Sequence, residues 1–217
     1  MIKIDLHTHS IISPDGAGSI TEENFEQLIR EGVLDCIAIT DHNETSFALR
    51  LHKKLGDKII VGEEIMTRDG EMIGLFLSKT ISPGLSVSET VKEIHKQGGL
   101  VYIPHPFETL RKGLQKDVLG QIVGKIDILE VFNGRGLLRG KTKEATEFAR
   151  ANNLIGAASS DAHGYGGIGK TFSLIRELPT HKTLKILLQQ GRLKRKYAPL
   201  WSYLYPVLNI IKNKFFK

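Results

Sequence analysis

The chain has 217 residues, 41% of them hydrophobic and 25% charged, with a formal net charge of +6. This length and composition fit one globular α/β domain and exclude a disordered or fibrous chain. Cys36 is the single cysteine, which excludes an intrachain disulfide. No apolar run approaches the roughly 18 residues of a membrane span. We also expect no N-terminal targeting segment, because Asp5 interrupts the first apolar stretch.

The positive charge is concentrated towards the C-terminus. Residues 178–217 contain nine Lys or Arg and no Asp or Glu, so the preceding part has a formal charge of −3. A mildly acidic body is expected of a protein whose carboxylates are neutralised by bound cations. We therefore divide the chain into a barrel, residues 1–191, and a basic amphipathic tail, residues 192–217.

Short apolar runs alternate with stretches of helical periodicity along the body. The runs predict seven strands, near residues 2–6, 35–40, 58–64, 100–104, 126–131, 154–159 and 171–175. Helices are predicted near 21–31, 45–55, 86–98, 114–124, 141–152 and 181–190. The Asp69-Gly70 pair predicts a hairpin turn after the third strand. This pattern is typical of βα units around a buried parallel sheet and indicates an α/β, TIM-like barrel.

Histidines and carboxylates follow the predicted strands at their carboxyl ends. The first strand runs into His7 and His9, which share one face because residues i and i+2 of a strand point the same way. Later strands run into groups of the same kind: Asp41, His42, Glu63, Glu64, His105, Glu130, Asp161 and His163. Since the chemistry of βα barrels lies at this end, these residues predict a metal site there. Imidazole and carboxylate without thiolate favour Mn²⁺, Zn²⁺ or Fe²⁺.

Five motifs, in this order, resemble the PHP superfamily (polymerase and histidinol phosphatase). They are Asp5-Leu6-His7-Thr8-His9-Ser10, Thr40-Asp41-His42, Gly62-Glu63-Glu64, His105-Pro106 and Ser160-Asp161-Ala162-His163. The resemblance implies a distorted (β/α)7 barrel with two or three divalent ions and phosphoesterase activity on small phosphates or nucleic-acid ends. The ligands that it implies are His7, His9, Glu64, His105, Asp161 and His163, with Asp15, His42 and Glu71 at a third ion.

The chain departs from the family pattern at two places. Glu71 stands where many trinuclear members carry a histidine. Too few residues separate Glu71 from His105 for the inserted domain of members that hydrolyse small bisphosphates, so we expect a more open cleft.

Three further residues are assigned to the catalytic group. Arg111 and Arg135, like Lys170, are predicted in rim loops, where a guanidinium can hold phosphate in a bidentate grip. Asp41, like Asp5, precedes a motif histidine. Each of these two carboxylates either orients an imidazole N–H or caps a strand end through backbone N–H groups.

The predicted activity is hydrolysis of a phosphate ester by hydroxide formed at the metal site, because a bound ion lowers the pKa of water to about 7. The expected substrate is a phosphorylated small molecule or an oligonucleotide end. The expected location is cytoplasmic, with a membrane-peripheral location left open. Two alternatives stay open. One is a metal-binding regulatory module without turnover, and the other is a hydrolase of a non-phosphate bond on the same barrel.

The tail carries apolar residues at helical spacing: Leu200, Leu204, Val207, Leu208, Ile211 and Phe215. Trp201, Tyr203 and Tyr205 flank this stripe. Three interpretations stay open. The tail closes the bottom of the barrel or forms a dimer face, lies as an interfacial helix on an anionic membrane, or binds single-stranded nucleic acid.

Overall fold

A computed structural model describes residues 1–15, 20–138 and 140–204 of the chain. In these ranges nine strands form one sheet: β1 (Ile2–Thr8), β2 (Cys36–Ile39), β3 (Ile59–Met66), β4 (Glu71–Leu75), β5 (Leu100–Ile103), β6 (Ile128–Asn133), β7 (Ile155–Ser159), β8 (Phe172–Ile175) and β9 (Arg192–Lys194). The helices are α1 (Glu22–Arg30), α2 (Ser46–Leu55), α3 (Val87–Lys96), α4 (Lys116–Ile122), α5 (Thr142–Ala151) and α6 (Leu184–Gln189). Short 3-10 turns cover Gly56–Lys58, Val123–Lys125 and Leu200–Leu204.

The sheet closes on itself at the carboxyl ends of its strands. Its order is β7-β6-β5-β4-β3-β2-β1-β8-β9, and β1, β2, β3, β5, β6 and β7 all run in one direction. Beyond the end of β7, the Asp161 N–H donates to the His7 carbonyl (2.9 Å) and the His9 N–H donates to the Ala162 carbonyl (3.0 Å). The barrel is therefore closed by two of the histidine-bearing motifs, which confirms the predicted TIM-like barrel.

The structure has more strands than the seven predicted, and the additional ones are antiparallel. The predicted hairpin is confirmed by β4, which pairs with β3 so that Met66 lies opposite Glu71. The strand predicted at 171–175 is β8, and it runs antiparallel to β1 rather than parallel. β9 was missed because its three residues make no apolar run. Residues 192–194 thus belong to the sheet of the barrel.

The direction of β9 corrects one interpretation of the tail. Because β9 runs antiparallel to β8, and β8 antiparallel to β1, the chain leaves β9 at the carboxyl ends of the parallel strands. Residues 195–204 therefore lie at that end. For these residues, the interpretation that the tail closes the bottom of the barrel is wrong. The remainder of the predicted stripe, from residue 205 onwards, lies outside the described residues.

The local sequence explains where the helices begin and which of their faces pack in the core. At the start of α1, Thr21 accepts a hydrogen bond from the Asn24 N–H, and Ser86 with Glu89 forms a capping box at the start of α3. The amphipathic helices pack their apolar faces on the outside of the sheet, while a second apolar cluster fills the inside and is continued by Leu184 of α6. No helix in the described ranges is both long and apolar enough to cross a bilayer.

Candidate metal centre

His7 and His9 bring two imidazoles to the closed end of the barrel. Both side chains are fully buried, and their Nε2 atoms lie 3.1 Å apart, as the i, i+2 spacing predicts. Asp5, two residues before His7 on β1, accepts hydrogen bonds from the N–H groups of Ser160 (3.0 Å) and His7 (3.4 Å). Of the two roles considered for Asp5, its contacts favour the strand-end cap. Burial raises the pKa of its carboxyl to about 7.

Glu64 is the central carboxylate of the site. Its oxygens lie 3.0 Å from His105 Nε2, 3.2 Å from His9 Nε2, 3.3 Å from His42 Nδ1 and 3.4 Å from His7 Nε2. Burial opposes ionisation, but the charges of His7 and His42 hold the pKa of Glu64 well below its usual value. An ionised carboxylate surrounded by four imidazoles suits a position shared between cations.

Asp161, His163 and Asp15 form the other side of the site. Asp161 Oδ1 lies 3.3 Å from His163 Nδ1 and 3.6 Å from His9 Nε2. Asp15 Oδ2 lies 2.9 Å from His163 Nε2 and 3.4 Å from His42 Nε2. The loop after β1 therefore places the carboxylate of Asp15 beside the imidazoles of His42, which follows β2, and His163, which follows β7.

Glu71 enters from the antiparallel strand β4. Its carboxylate oxygens lie 3.7 Å from His105 Nε2 and 3.9 Å from His42 Nδ1. Burial, reinforced by the charge of Glu64, raises the pKa of Glu71 to about 8. The structure thus brings together all nine residues named as metal ligands.

The donor set fits divalent cations. Four groups each offer ligand atoms within 4.8 Å of one another: His7 with His9 and Glu64; Glu64 with Glu71 and His105; His7 with His105 and Asp161; and His9 with Asp15, His42 and His163. Burial, assisted by the charge of His163, lowers the pKa of His9 to about 3, so its imidazole is neutral and keeps a lone pair. Neutral imidazoles and ionised carboxylates are the ligands that borderline divalent metals prefer.

Two of the ligands have left-handed backbone. The φ angles are 27° at His105 and 52° at Asp161, in a region that costs a non-glycine residue about 1–3 kcal/mol. At His105 the backbone N–H donates to Glu130 Oε2 at 2.7 Å, which holds this conformation. Strain of this kind is concentrated at functional sites, where surrounding contacts fix it.

Glu130 has a larger role than its position in the sequence indicated. Its Oε1 lies 3.2 Å from His7 Nδ1 and accepts a hydrogen bond from the Tyr102 hydroxyl at 2.8 Å. Its Oε2 accepts from Asn133 Nδ2 at 2.8 Å. Glu130, rather than Asp5, is therefore the carboxylate that orients the His7 imidazole. The only sequence signal was its place near the carboxyl end of the strand predicted at 126–131, and nothing marked Tyr102 or Asn133.

Asp41 has structural rather than catalytic contacts. Its two carboxylate oxygens accept hydrogen bonds from the backbone N–H and the hydroxyl of Ser10, both at 2.6 Å. Burial raises the pKa of Asp41 to about 6. These bonds tie the turn after β1 to the end of β2, and they correspond to the capping alternative. The geometry does not support a direct part for Asp41 in the reaction.

Arg111 and Arg135 both reach Asp161 but differ in how fully they are engaged. Arg111 binds Glu108 through Nε (2.7 Å) and Nη2 (2.6 Å), and its Nη1 binds Asn133 (3.0 Å) and Asp161. Among the described residues, the Arg135 side chain binds only through Nη1, which lies 3.4 Å from Asp161 Oδ1 and 2.7 Å from His163 Nδ1. Its Nε has no hydrogen-bond partner in the described part of the chain. Arg135 therefore keeps more of its five N–H donors for a ligand.

The ligands open into a cavity of about 200 Å³. Its lining includes Leu110, Arg111, Lys112 and Arg135 beside the metal-ligand candidates. Lys170, the third rim candidate, is exposed and is not part of this lining. A larger and mainly apolar pocket of about 450 Å³ lies at the amino end of β3 and contains none of the grouped ligands.

Comparison with known sequences finds relatives that are 32% and 35% identical to this chain. The chain is 35% identical over 190 residues to the uncharacterized protein MJ0417 of Methanocaldococcus jannaschii, covering 83% of this chain and 73% of that protein. No family model matches the sequence.

Comparison with solved structures identifies similar barrels. A two-domain protein from Bacteroides vulgatus, containing a predicted PHP-like metal-dependent phosphoesterase, has a TM-score of 0.72 at 19% identity. The match covers 90% of this chain and 65% of that one, so the chain spans less than two thirds of this neighbour. Endonuclease Q, in complex with a 27-mer duplex bearing an abasic lesion at the active site, has a TM-score of 0.61 at 15% identity over 87% of this chain and 56% of its own.

Proposed function

We propose that the chain is a member of the PHP superfamily and a metal-dependent hydrolase of phosphate esters. Its five motifs resemble that family, and its barrel is similar to that of a protein containing a predicted PHP-like metal-dependent phosphoesterase. The observation that carries this proposal is the position of Glu64, whose carboxylate lies within 3.4 Å of ring nitrogens of four histidines. In two-metal phosphoester hydrolases the ions lie about 3.5–4 Å apart. A shared carboxylate at the centre of the donor set suits that spacing.

The nine grouped ligands would hold two or three divalent ions, with Glu64 shared between groups. Bound ions supply Lewis acidity, which lowers the pKa of water from about 15.7 to about 7 and offsets the charge of the phosphate. Glu130 holds the His7 imidazole with Nδ1 towards its own carboxylate and Nε2 towards the site. This orientation leaves the Nε2 lone pair for a cation.

Arg135 is the residue that we assign to the phosphate. Its guanidinium lines the cavity, is bound through one nitrogen, and carries a buried Nε without a partner in the described residues. A guanidinium can bind two phosphate oxygens in parallel, which fixes their orientation. Arg111 is held on two sides by Glu108 and Asp161, so it positions Asp161 more than it binds substrate.

The test combines metal content with phosphate release. Purified protein is analysed for bound metal and is then supplied with Mn²⁺ and either p-nitrophenyl phosphate or a 5′-phosphorylated oligonucleotide. We expect metal binding and release of phosphate from at least one of the two. His9→Ala should lose both, while His95→Ala, an exposed histidine on α3 that faces Asp127, should keep both.

Two results would contradict the proposal. Metal binding without turnover of any phosphoester would favour the regulatory module, and hydrolysis confined to amide or carboxylic ester substrates would favour the non-phosphate hydrolase. The ratio of activity on p-nitrophenyl phosphate to that on the oligonucleotide separates a small-molecule phosphatase from an enzyme of nucleic-acid ends.

A further inference from the structure

Exposed apolar side chains are concentrated at the carboxyl end of the barrel. Nine of the thirteen large apolar residues that are exposed in the described ranges lie in the loops after β1, β5, β6 and β7 or in the segment after β9. We call these nine the apolar rim: Ile11, Ile12, Leu110, Leu137, Leu138, Tyr165, Leu200, Trp201 and Leu204. Exposed apolar groups gathered on one face mark an interaction surface.

The segment after β9 is held against the loops of the candidate site. The Ala198 N–H donates to the Gly134 carbonyl at 2.9 Å. The Trp201 ring lies directly over Gly166, where any Cβ would approach the ring to 2.0 Å. These two glycines belong to the loops that also carry Arg135 and His163. The exposed Leu200, Trp201 and Leu204 are thus fixed beside the mouth of the cavity, and Leu110 lines the cavity itself.

The exposed charges in the same loops are of one sign. Lys112, Lys141, Lys170, Arg195 and Lys196 are exposed there, and none of the described acidic residues of these loops is exposed. Lys141 lies 3.6 Å from Glu144 of α5, and the other four have no ion pair among the described residues. Apolar side chains interspersed with basic ones match a surface that is itself apolar and anionic.

The composition of the rim favours a lipid bilayer over single-stranded nucleic acid as its binding partner. Seven of the nine residues are Leu or Ile, which do not stack on bases as aromatic side chains do. Trp and Tyr, the remaining two, are the residues that favour the membrane–water interface. A protein partner seated on the rim would cover the mouth of the cavity, whereas a bilayer presents its phosphate groups to it.

We propose that the apolar rim docks on an anionic bilayer and that the substrate is a phosphate monoester of a membrane amphiphile. The substrate half of this inference rests on the phosphoesterase function proposed above. In the reaction, water adds to phosphorus, the P–O bond to the amphiphile breaks, and the departing alkoxide takes up a proton. The products are inorganic phosphate, which leaves into water, and an alcohol that stays in the bilayer.

The test uses the full chain and two matched triple variants. The rim variant is Leu138→Ser, Leu200→Ser and Leu204→Ser, and the control is Leu49→Ser, Leu178→Ser and Ile186→Ser, which removes exposed apolar residues remote from the cavity. Flotation with phosphatidylcholine vesicles, with or without phosphatidic acid, measures docking. Phosphate release from phosphatidic acid in vesicles measures turnover, and p-nitrophenyl phosphate without vesicles measures the site itself.

We expect the wild type and the control to float with the anionic vesicles and to hydrolyse phosphatidic acid. For the rim variant, both the fraction that floats and the rate of phosphatidic acid hydrolysis should fall at least tenfold. Its rate of p-nitrophenyl phosphate hydrolysis should stay within twofold of the wild type. Equal flotation of both variants, or no flotation of the wild type, overturns the docking. The docking is also overturned if the only change in the rim variant is that it no longer binds single-stranded DNA, or that it no longer forms a dimer in light scattering.

The two proposals fail in different ways. Docking that depends on the rim, without hydrolysis of either phosphate ester, would remove the phosphoesterase function and leave the membrane surface in place. Hydrolysis of p-nitrophenyl phosphate without docking would remove the membrane surface and leave the enzyme.

Discussion

Glu130 Oε1 lies 3.2 Å from Nδ1 of His7, and both side chains are fully buried. The same carboxylate accepts hydrogen bonds from the Tyr102 hydroxyl and, through Oε2, from the backbone N–H of His105. One residue of β6 therefore orients a ligand on β1 and holds the strained backbone of a ligand after β5. Partners of this kind raise ligand basicity and fix the ring.

Glu130→Gln should weaken metal binding about 10- to 100-fold, the usual cost of losing such a partner. The amide removes the negative charge beside Nδ1 but keeps the side-chain volume. Competition with a chromophoric chelator measures the dissociation constant. Glu63→Gln is the matched control, because Glu63 is equally buried but bonds to the Ile81 N–H at 2.8 Å. Equal affinity in the two variants would show that Glu130 does not act through His7.

Metal binding should release protons and become tighter as the pH rises. Burial favours neutral imidazole at His42, but Glu64, Asp15 and Glu71 raise its pKa to about 10 in the metal-free protein. The raised pKa of Glu71, about 8, keeps that carboxyl protonated at neutral pH. A cation must displace these protons. Calorimetry at pH 7 in buffers of different ionisation enthalpy should report net proton release, and buffer-independent heats would contradict this assignment.

Arg111→Met should destabilise the fold more than its exposure suggests. Its partner Glu108 is 3% exposed and would be left as an unpaired buried charge, which costs about 3–5 kcal/mol. The added change Glu108→Gln should recover part of that loss. Denaturant unfolding of the metal-free protein measures each free energy. Arg68→Met, which breaks an exposed pair with Glu89, should cost no more than about 1 kcal/mol. A similar loss for Arg68→Met and Arg111→Met would contradict the buried-pair argument.

Gly113→Ala should disrupt the loop that carries His105 and Arg111. A Cβ at this glycine would lie 2.2 Å from the His105 carbonyl oxygen, so the backbone has to move. We expect lower stability and weaker metal binding together. Gly120→Ala, in α4 and with open space around it, should be neutral or stabilise by up to about 1 kcal/mol. Thermal unfolding with and without metal compares the two, and equal melting temperatures would rule out the predicted clash.

The local sequence pattern was sufficient to predict the parallel strands, the hairpin and the positions of the metal-ligand candidates along the chain. Apolar runs located the parallel strands, and the Asp69-Gly70 turn located the hairpin. Two histidines at i and i+2 must share a face of an extended strand, so His7 and His9 could be paired without a structure. These inferences need only periodicity and strand polarity, which are properties of neighbouring residues.

Only the tertiary structure decided which groups touch. The carboxylate beside His7 comes from Glu130, 123 positions away, and not from the nearby Asp5. The engagement of Arg111 by Glu108 and Asp161, and the return of residues 195–204 to the mouth of the cavity, likewise depend on strand direction and barrel closure. Such contacts are set by packing between segments distant in sequence, and no local periodicity encodes them.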